Sequence, residues 1–511
     1  MESIEAQTIL KSGLVTSFLV LSVCLLLVKA FTQSYFGNKS ITKKLRKNKQ
    51  TAWEKLPKFP IFRGILLLLD LRSAIEKYSR LAEGLGPVFR VMIYGEEFAI
   101  LTNPSAIQKL LSSKDEGHIV KSPKVYQIIK DMTGNGLVMS SGQLWHTNRK
   151  LFAKAFSYSA LKTYMQIYNK CASRLTAKLE RIGEKHGFSE YQKINWIIHE
   201  CGFDVITETV MGLDQIVNKE DSALMFTNLN SAKNAAMIKQ VFNAQPWLAP
   251  LFQLHPSSIK YRKSLYNIDS IIKKMITQFR HRAGEDKDAD EDSFENMLAF
   301  MLKSGLAEDV ILAEVKTMLL AGYETTSSTI HYLFFMLALH QNHQNACREE
   351  ILRVFDKCPD GQLTMEALSE LKYLERCIQE TLRLFPVIFT IARKLETPLI
   401  IGNGSNVAVS ILQLHRSPEY FPNPDEFQPE RFLPENCMGR HSFAYVPFSS
   451  GPRSCIGMKF ALLEAKTIAA HVLKEFELYT SDTMKSVPNM PSILLKPERA
   501  FYFLLKKRSL S

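Results

Sequence analysis

The sequence has 511 residues, 8 cysteines and a formal net charge of +13. Its lysines and arginines are spread along the chain apart from a cluster at residues 43–49, beside an apolar segment. This distribution argues against nucleic-acid binding and indicates an anionic membrane surface or an acidic protein partner. No C-x-x-C pair occurs, and the cysteine spacing indicates no disulfide framework, so most of the cysteines are expected to be reduced core thiols.

The length is sufficient for a large core and would allow two or three domains. No convincing boundary divides the chain, however, and no internal repeat is evident. The strongly polar stretch at 282–293 lies between predicted helices and is interpreted as a solvated loop. Residues 61–511 are therefore predicted to form one domain.

The N-terminus has the pattern of a membrane anchor. Residues 12–28 are uncharged, which is about the minimum length for a spanning helix. A cleaved signal peptide is the alternative, but Glu2 and Glu5 precede the apolar run and no small-residue cleavage site follows. The sequence thus predicts an anchor at 1–42 with one transmembrane helix and a basic, proline-containing linker at 43–60. The basic cluster places everything after Lys43 in the cytosol.

The remaining chain predicts a mainly α fold with small β-sheets. Short strands are expected at 88–93, 98–101, 399–401 and 406–412. The strongest helix covers 308–339 and is apolar on nearly every face, which predicts burial. A second membrane span is the alternative, but its charged residues make that costly. Further helices are expected at 364–384, ending before Pro386, and from Met458 onward, with an irregular segment at 418–434.

The most specific segment is Phe448-Ser-Ser-Gly451-Pro-Arg453-Ser-Cys455-Ile-Gly457. The two glycines allow tight turns and close approach to a flat ligand. Arg453 is expected to favour a thiolate at Cys455, and the amides of the following helix add to this effect.

This segment resembles the haem-binding loop of the cytochrome P450 family, F-x-x-G-x-R-x-C-x-G. Glu380-Thr-Leu-Arg383 resembles the family's E-x-x-R pair, and Arg431 its partner in the irregular segment. The resemblance implies the cytochrome P450 fold and haem b, held non-covalently apart from a bond between iron and the Cys455 thiolate. It further implies that Glu380, Arg383 and Arg431 form an ion-pair network supporting the cysteine loop.

The same resemblance implies further cofactor-binding residues. Trp145-His-Thr-Asn-Arg149 is similar to the W-x-x-x-R motif of the family. Its two side chains can point the same way because they lie about one helical turn apart. The expected haem contacts are Trp145, Arg149, Arg393, Phe448, Arg453 and Cys455.

Ala321-Gly-Tyr-Glu-Thr-Thr326 in the central helix resembles the oxygen-activating motif of the family. It implies catalytic roles for Thr325 and Glu324 in proton delivery, and Gly322 is expected to let the helix pass close over the haem. Fatty-acid hydroxylases of one large branch have a glutamate, which can bond to haem, where this chain has Ala321. Ala321 therefore argues against a covalent haem link, and the motif looks more like sterol- and drug-oxidising branches.

The implied function is oxidation of a lipophilic substrate (sterol, fatty acid or xenobiotic) by a monooxygenase in the endoplasmic reticulum membrane. No flavin or nicotinamide motif is recognisable, so electrons are expected from NADPH–cytochrome P450 reductase, with cytochrome b5 as an optional second donor. An isomerase or peroxide-rearranging synthase on the same fold is the enzymatic alternative, and a haem sensor or lipid carrier the non-enzymatic one. Glu324 and Thr325 favour the monooxygenase.

Overall fold

The structure is a computed structural model that describes residues 84–93, 96–186, 190–212, 219–243, 248–285, 296–399, 405–491 and 494–508. The predicted anchor at 1–42 and linker at 43–60 lie outside these ranges. Among the described residues, no helix combines the length and apolarity needed to span a bilayer.

Helices account for most of the described residues, which confirms the mainly α prediction. In chain order the α-helices are α1 (Pro104–Leu111), α2 (Glu116–Ile119), α3 (Pro123–Thr133), α4 (Gly142–Ala153), α5 (Tyr158–His186), α6 (Asn195–Met211), α7 (Lys219–Asn243), α8 (Pro256–Glu285), α9 (Met297–Lys303), α10 (Glu308–Leu339), α11 (Gln341–Phe355), α12 (Met365–Glu370), α13 (Lys372–Leu384), α14 (Ile411–His415), α15 (Pro434–Cys437) and α16 (Met458–Glu475). Local sequence determines where these helices begin. At the start of α1, for example, the Asn103 side chain accepts hydrogen bonds from the N–H groups of Ser105 and Ala106, and Pro104 occupies the first helical position.

The strands form small sheets. They are β1 (Val88–Ile93), β2 (Glu96–Leu101), β3 (Tyr191–Gln192), β4 (Thr390–Lys394), β5 (Asn406–Ser410), β6 (Phe476–Thr480), β7 (Asn489–Pro491), β8 (Leu495–Pro497) and β9 (Phe503–Lys507). The largest sheet has the order β1-β2-β5-β4, with β2 and β5 parallel and the other pairs antiparallel. In this sheet β4 carries Arg393, which also forms a bridge with Lys121.

The central helix α10 has the bounds that its sequence predicts. Glu308 and Asp309 lie in its first turn, where acidic side chains interact favourably with the helix dipole. The helix is buried from Thr326 to Ala338 and packs against α6, α13 and α16. Tyr332 stacks on Phe385 at 4.4 Å between ring centroids. Such a pair adds about 0.5–1.5 kcal/mol beyond area burial.

Gly322 serves the contact between α10 and α6. A Cβ at this position would lie 2.6 Å from Cδ1 of Ile206, closer than carbon atoms can approach. The glycine therefore permits tight packing of the two helices. The expectation that it also lets α10 pass close over the haem stays a prediction.

Several predicted element boundaries differ in the structure. The helix expected at 364–384 is divided into α12 and α13, because Leu371 has non-helical backbone angles (φ −74°, ψ 68°). The strand expected at 406–412 ends at Ser410, where α14 begins. Strands β3, β4 and β6 to β9 were not expected. Residues 400 and 401 of the predicted strand at 399–401 lie outside the described residues.

A buried ion-pair network connects α13 to the irregular segment that precedes the cysteine loop. Arg383 donates two hydrogen bonds to the Glu380 carboxylate, at 2.7 and 2.8 Å, and both side chains are fully buried. Arg431 lies 3.3 Å from the same carboxylate. Arg383 also donates to the backbone carbonyl oxygens of His415, Pro424 and Glu426. The expected association of the three charged residues is therefore present, and breaking such a buried pair costs about 3–5 kcal/mol.

His415 continues this network into the cysteine loop. Its Nε2 accepts a hydrogen bond from the Val446 N–H at 2.9 Å. Burial and the nearby positive charge of Arg383 lower the pKa of His415 to about 3. The imidazole is therefore neutral in the folded protein, which is the form that can accept this bond.

We predict that His415 contributes to acid unfolding. The folded-state pKa is depressed below the unfolded value of about 6.5, so the stabilisation is complete above pH 6.5 and is lost as the pH falls toward 3. At pH 5 this single group should lower the free energy of unfolding by about 2 kcal/mol. His415→Gln retains an acceptor without a titratable group and should reduce the loss between pH 7 and pH 5 in denaturant titrations.

The control is His281→Gln on α8, because His281 is exposed and its replacement should leave the pH dependence unchanged. An equal decrease in the free energy of unfolding between pH 7 and pH 5 in wild type and His415→Gln would contradict the proposed contribution of His415.

Candidate functional site

The cysteine loop has a backbone that only glycine can adopt at one position. Residues Gly451–Arg453 form a 3-10 turn, and Gly451 has φ +69°. A Cβ there would lie 1.7 Å from the Leu111 carbonyl oxygen at the end of α1. The Cys455 N–H donates to the Phe448 carbonyl oxygen at 2.9 Å and closes the loop. The predicted tight turn is thus present at Gly451, where the close neighbour is backbone of the same chain, and close approach to a flat ligand stays a prediction.

The Cys455 thiol is exposed to a recess within the protein. Desolvation in this recess raises the pKa of Cys455, and the Gly457 N–H, Arg149 and Lys121 oppose that rise. Gly457 directly precedes α16, so the expected helix N-terminus lies behind the thiol. Among the described residues, Arg149 and Lys121 are the cations that lower the pKa of Cys455. The expected effect of Arg453 on the thiol stays a prediction.

Four cationic side chains that interact with one another, here called the cationic cluster, lie near the cysteine loop: Lys121, Arg149, Arg393 and Arg453. Burial, followed by the charges of Arg393 and Arg453, lowers the pKa of Lys121 well below its usual value. Burial likewise lowers the pKa of Arg149 and of Arg393, which is 4% exposed. Assembling like charges in a desolvated space is unfavourable, so the cluster has the character of a site for an anionic ligand.

Arg453 contacts Trp145 and Ser140, and two of its guanidinium nitrogens have no hydrogen-bond partner within the part of the chain that the structure describes. Its guanidinium lies 4.1 Å above the ring of Trp145, and its Nη2 donates to the Ser140 carbonyl oxygen at 2.7 Å. Its Nε and Nη1 are buried without a hydrogen-bond partner among the described residues. Burial and the charge of Arg393 lower the pKa of Arg453 to about 9.

These observations fit the haem that the sequence motifs imply. A thiol faces the recess, and unpaired buried guanidinium donors are suited to carboxylates such as the haem propionates. Trp145, Arg149, Arg393, Arg453 and Cys455 come together as expected, and Phe448 packs against the main hydrophobic core.

Lys121 is a member of the cluster that the sequence motifs did not identify. It lies between α2 and α3, far in sequence from the other members, and it reaches them through its bridge to Arg393 on β4. The local signal was weak, since a lysine before Ser122-Pro123 resembles an ordinary surface residue.

The motif in α10 presents two different faces. Ala321 is exposed and Thr325 partly exposed, although the helix is buried beyond them. These two residues therefore lie on an accessible side of α10. The Thr325 hydroxyl donates to the Ala321 carbonyl oxygen at 2.9 Å, which is the expected bond to the helix backbone.

Glu324 points to another side of α10 and is paired with two lysines. Lys233 of α7 lies 2.8 Å from its Oε1, and Lys496 of β8 contacts the same oxygen. Burial alone would raise the pKa of Glu324, but the two lysines outweigh burial and lower it. A cavity of about 350 Å³ adjoins the pair and is lined by His199, Asn230, Lys233, Tyr332 and Lys496 among other residues. Neither lysine was identified from the sequence.

Comparisons with known proteins agree with this geometry. The sequence profile of the family described as "Cytochrome P450" matches residues 55–504. Cytochrome P450 4d8 of Drosophila melanogaster is 30% identical over 87% of this chain and 99% of its own length. Cytochrome P450 4V2 of Homo sapiens is 29% identical over 83% of each chain.

A crystal structure of the cytochrome P450DA heme domain is 24% identical, with a TM-score of 0.74 over 89% of this chain and 98% of that chain. This likeness supports the fold. The expected resemblance to sterol- and drug-oxidising branches receives no support from the two curated relatives, both of which are numbered in family 4. Together with the profile match, the relatives show that the chain belongs to the cytochrome P450 family and is a haem-thiolate monooxygenase.

Proposed function

We propose that this chain inserts one oxygen atom from O2 into a lipophilic substrate, using electrons from a separate NADPH–cytochrome P450 reductase. Cytochrome b5 is the optional second donor. The observation that carries this proposal is the arrangement in α10, where Thr325 is partly exposed and the adjacent buried Glu324 is paired with two lysines that line a polar cavity. An acid next to an alcohol, with access to a polar space, suits proton delivery during oxygen reduction.

The cofactor is haem, which would supply the redox-active iron needed for chemistry with O2. In our proposal Cys455 is the metal ligand, and the Gly457 N–H, Arg149 and Lys121 stabilise its thiolate. Trp145, Arg149, Arg393, Phe448 and Arg453 hold the cofactor, with Lys121 as an additional cation at its carboxylates.

In this proposal, protons reach the accessible side of α10 at Thr325 from the cavity that Lys233 and Lys496 line. Lys233 and Lys496 favour the ionised form of Glu324, so a proton taken up from the cavity is readily released again. The Thr325 hydroxyl donates its hydrogen bond to the Ala321 carbonyl oxygen. Its oxygen can therefore accept a hydrogen bond from a water molecule on this side of α10. Thr325 and Glu324 together form the proposed proton route.

An exposed apolar surface supports a membrane location and a lipophilic substrate. Leu251, Leu254, Ile259 and Tyr266 are all exposed near the start of α8. The exposed basic residues Lys260, Arg262 and Lys263 lie between them in sequence. Apolar side chains flanked by cations suit the surface of an anionic bilayer. With the predicted anchor, this supports a cytosolic catalytic domain on the endoplasmic reticulum membrane.

The reductase is proposed to dock near the cysteine loop. Lys459, in the first turn of α16, is exposed and can contribute to a basic surface for an acidic electron donor.

Lys121→Met should change the haem-free and haem-bound proteins in opposite directions. Removing a partly buried, desolvated cation from the cluster should stabilise the haem-free protein by on the order of 1 kcal/mol. Losing a charge-assisted bond should make transfer of haem to apomyoglobin about tenfold faster. Denaturant unfolding and haem-transfer kinetics measure the two effects.

Lys124→Met is the matched control, because Lys124 lies on the partly exposed side of α3 and is 4.0 Å from Glu96. It should affect neither quantity appreciably. Unchanged haem transfer in Lys121→Met would contradict the proposed role of Lys121.

Thr325→Val should separate electron consumption from product formation. With reductase, NADPH and a panel of lipids, the variant should still oxidise NADPH and bind haem normally. Its oxygenated product per NADPH should fall about tenfold or more, because proton delivery is impaired. Product analysis under labelled O2, together with hydrogen peroxide release, measures this.

Thr329→Val is the control, since Thr329 lies one turn further along α10 and donates to the Thr325 carbonyl oxygen. Conversion of a lipid hydroperoxide without reductase or NADPH, unaffected by Thr325→Val, would contradict the monooxygenase proposal and favour a rearranging synthase.

A further inference from the structure

Glu314 is a fully buried carboxylate in α10 that the proposed reaction does not use. Its Oε2 accepts a hydrogen bond from the Leu137 N–H at 2.9 Å. Its Oε1 accepts one from Asn148 Nδ2, also at 2.9 Å. One side chain of the central helix thus bonds to two separate parts of the chain, the segment between α3 and α4 and the helix α4 itself.

Both bonds end on elements that contact Arg453. Leu137 belongs to a tight turn in which the N–H groups of Met139 and Ser140 both donate to the Gly136 carbonyl oxygen at 2.8 Å. The Ser140 carbonyl oxygen in turn accepts from Arg453. Asn148 lies on α4 between Trp145, whose ring lies beneath the Arg453 guanidinium, and Arg149.

The turn is pressed against α10 on both sides of Glu314. A Cβ at Gly136 would lie 2.2 Å from Thr317 Oγ1 and 2.8 Å from the Ala313 carbonyl oxygen. The contact tolerates no added atom, so a small displacement of the turn would separate it from the helix. The position of the turn therefore depends on the contacts that attach the turn to α10.

Burying a carboxylate at this position lowers the free energy of unfolding unless its hydrogen bonds compensate for the lost contact with water. Burial raises the pKa of Glu314 to about 7, opposed by the hydrogen bonds from Leu137 and Asn148. No charged side chain of the described residues contributes to this shift. Nearby charges are paired elsewhere: Lys316 with Asp269, and Asp131 of α3 with Lys239. The two neutral donors, the Leu137 N–H and the Asn148 side-chain amide, are thus the hydrogen-bond partners of Glu314.

We propose that Glu314 is a positioning residue that fixes the 136–140 turn and α4 to the central helix, and so places Arg453 and Trp145 at the haem edge. The proposal rests on the proposed function only in taking the cationic cluster as the haem site. It does not depend on which reaction the protein catalyses.

The test compares Glu314→Leu with Glu314→Gln in the full-length, haem-loaded protein. The leucine leaves the Leu137 N–H and Asn148 without their acceptor. Amide hydrogen exchange in residues 134–141 should then become about tenfold faster or more, and haem transfer to apomyoglobin should accelerate. The glutamine should restore both rates to near wild type, since its oxygen can accept from Leu137 and its amide can donate to a rotated Asn148.

Val315→Ala is the matched control for general destabilisation, because Val315 is an adjacent, fully buried residue of α10. It should lower overall stability without selectively accelerating exchange at 134–141. Equal exchange at 134–141 in Glu314→Leu and Val315→Ala would overturn the proposal, as would failure of the glutamine to restore the slower rates. The measurements need no substrate or reductase, so failure of the monooxygenase proposal would leave their outcome unaffected.

Discussion

The arrangement around Cys455 depends on one electrostatic constraint: four cations share a desolvated recess. Lys121, Arg149, Arg393 and Arg453 come from different parts of the chain, and burial lowers the pKa of each. Glu116 attracts Arg453 but is itself hydrogen-bonded to His146. Such a cluster is costly for the protein alone and favourable once an anionic cofactor is bound. The recess is therefore explained by ligand binding rather than by folding.

Holding the cluster in place requires a rigid support beneath the cysteine loop. The pair of Glu380 and Arg383 fixes the irregular segment to α13, and neutral His415 extends this support to Val446, just before Phe448. On the opposite side, Glu314 connects α10 to the turn that receives Arg453. The haem edge is thus tied both to the cysteine loop and to the helix with Thr325 and Glu324.

Much of this could be predicted from the sequence because the signals are local. The helix at 308–339 is recognisable from its continuous apolar character. The cysteine loop is recognisable from characteristic residues that lie a few positions apart. Lys121, Lys233 and Lys496 could not be identified, because each meets its partner only after folding brings distant segments together. The packing of Gly322 on Ile206 and the break at Leu371 likewise depend on tertiary contacts. A glycine or a leucine has no local pattern that reveals such a contact.

The central claim is that the Cys455 thiolate binds the haem iron. The most direct test is the reduced carbon-monoxide difference spectrum of the full-length protein and of Cys455→Ser, with Cys437→Ser as control because Cys437 is also exposed. We predict the Soret band of a haem-thiolate protein in wild type and in Cys437→Ser, and its loss in Cys455→Ser. A band typical of histidine ligation in wild type, or an unchanged spectrum in Cys455→Ser, would contradict the account.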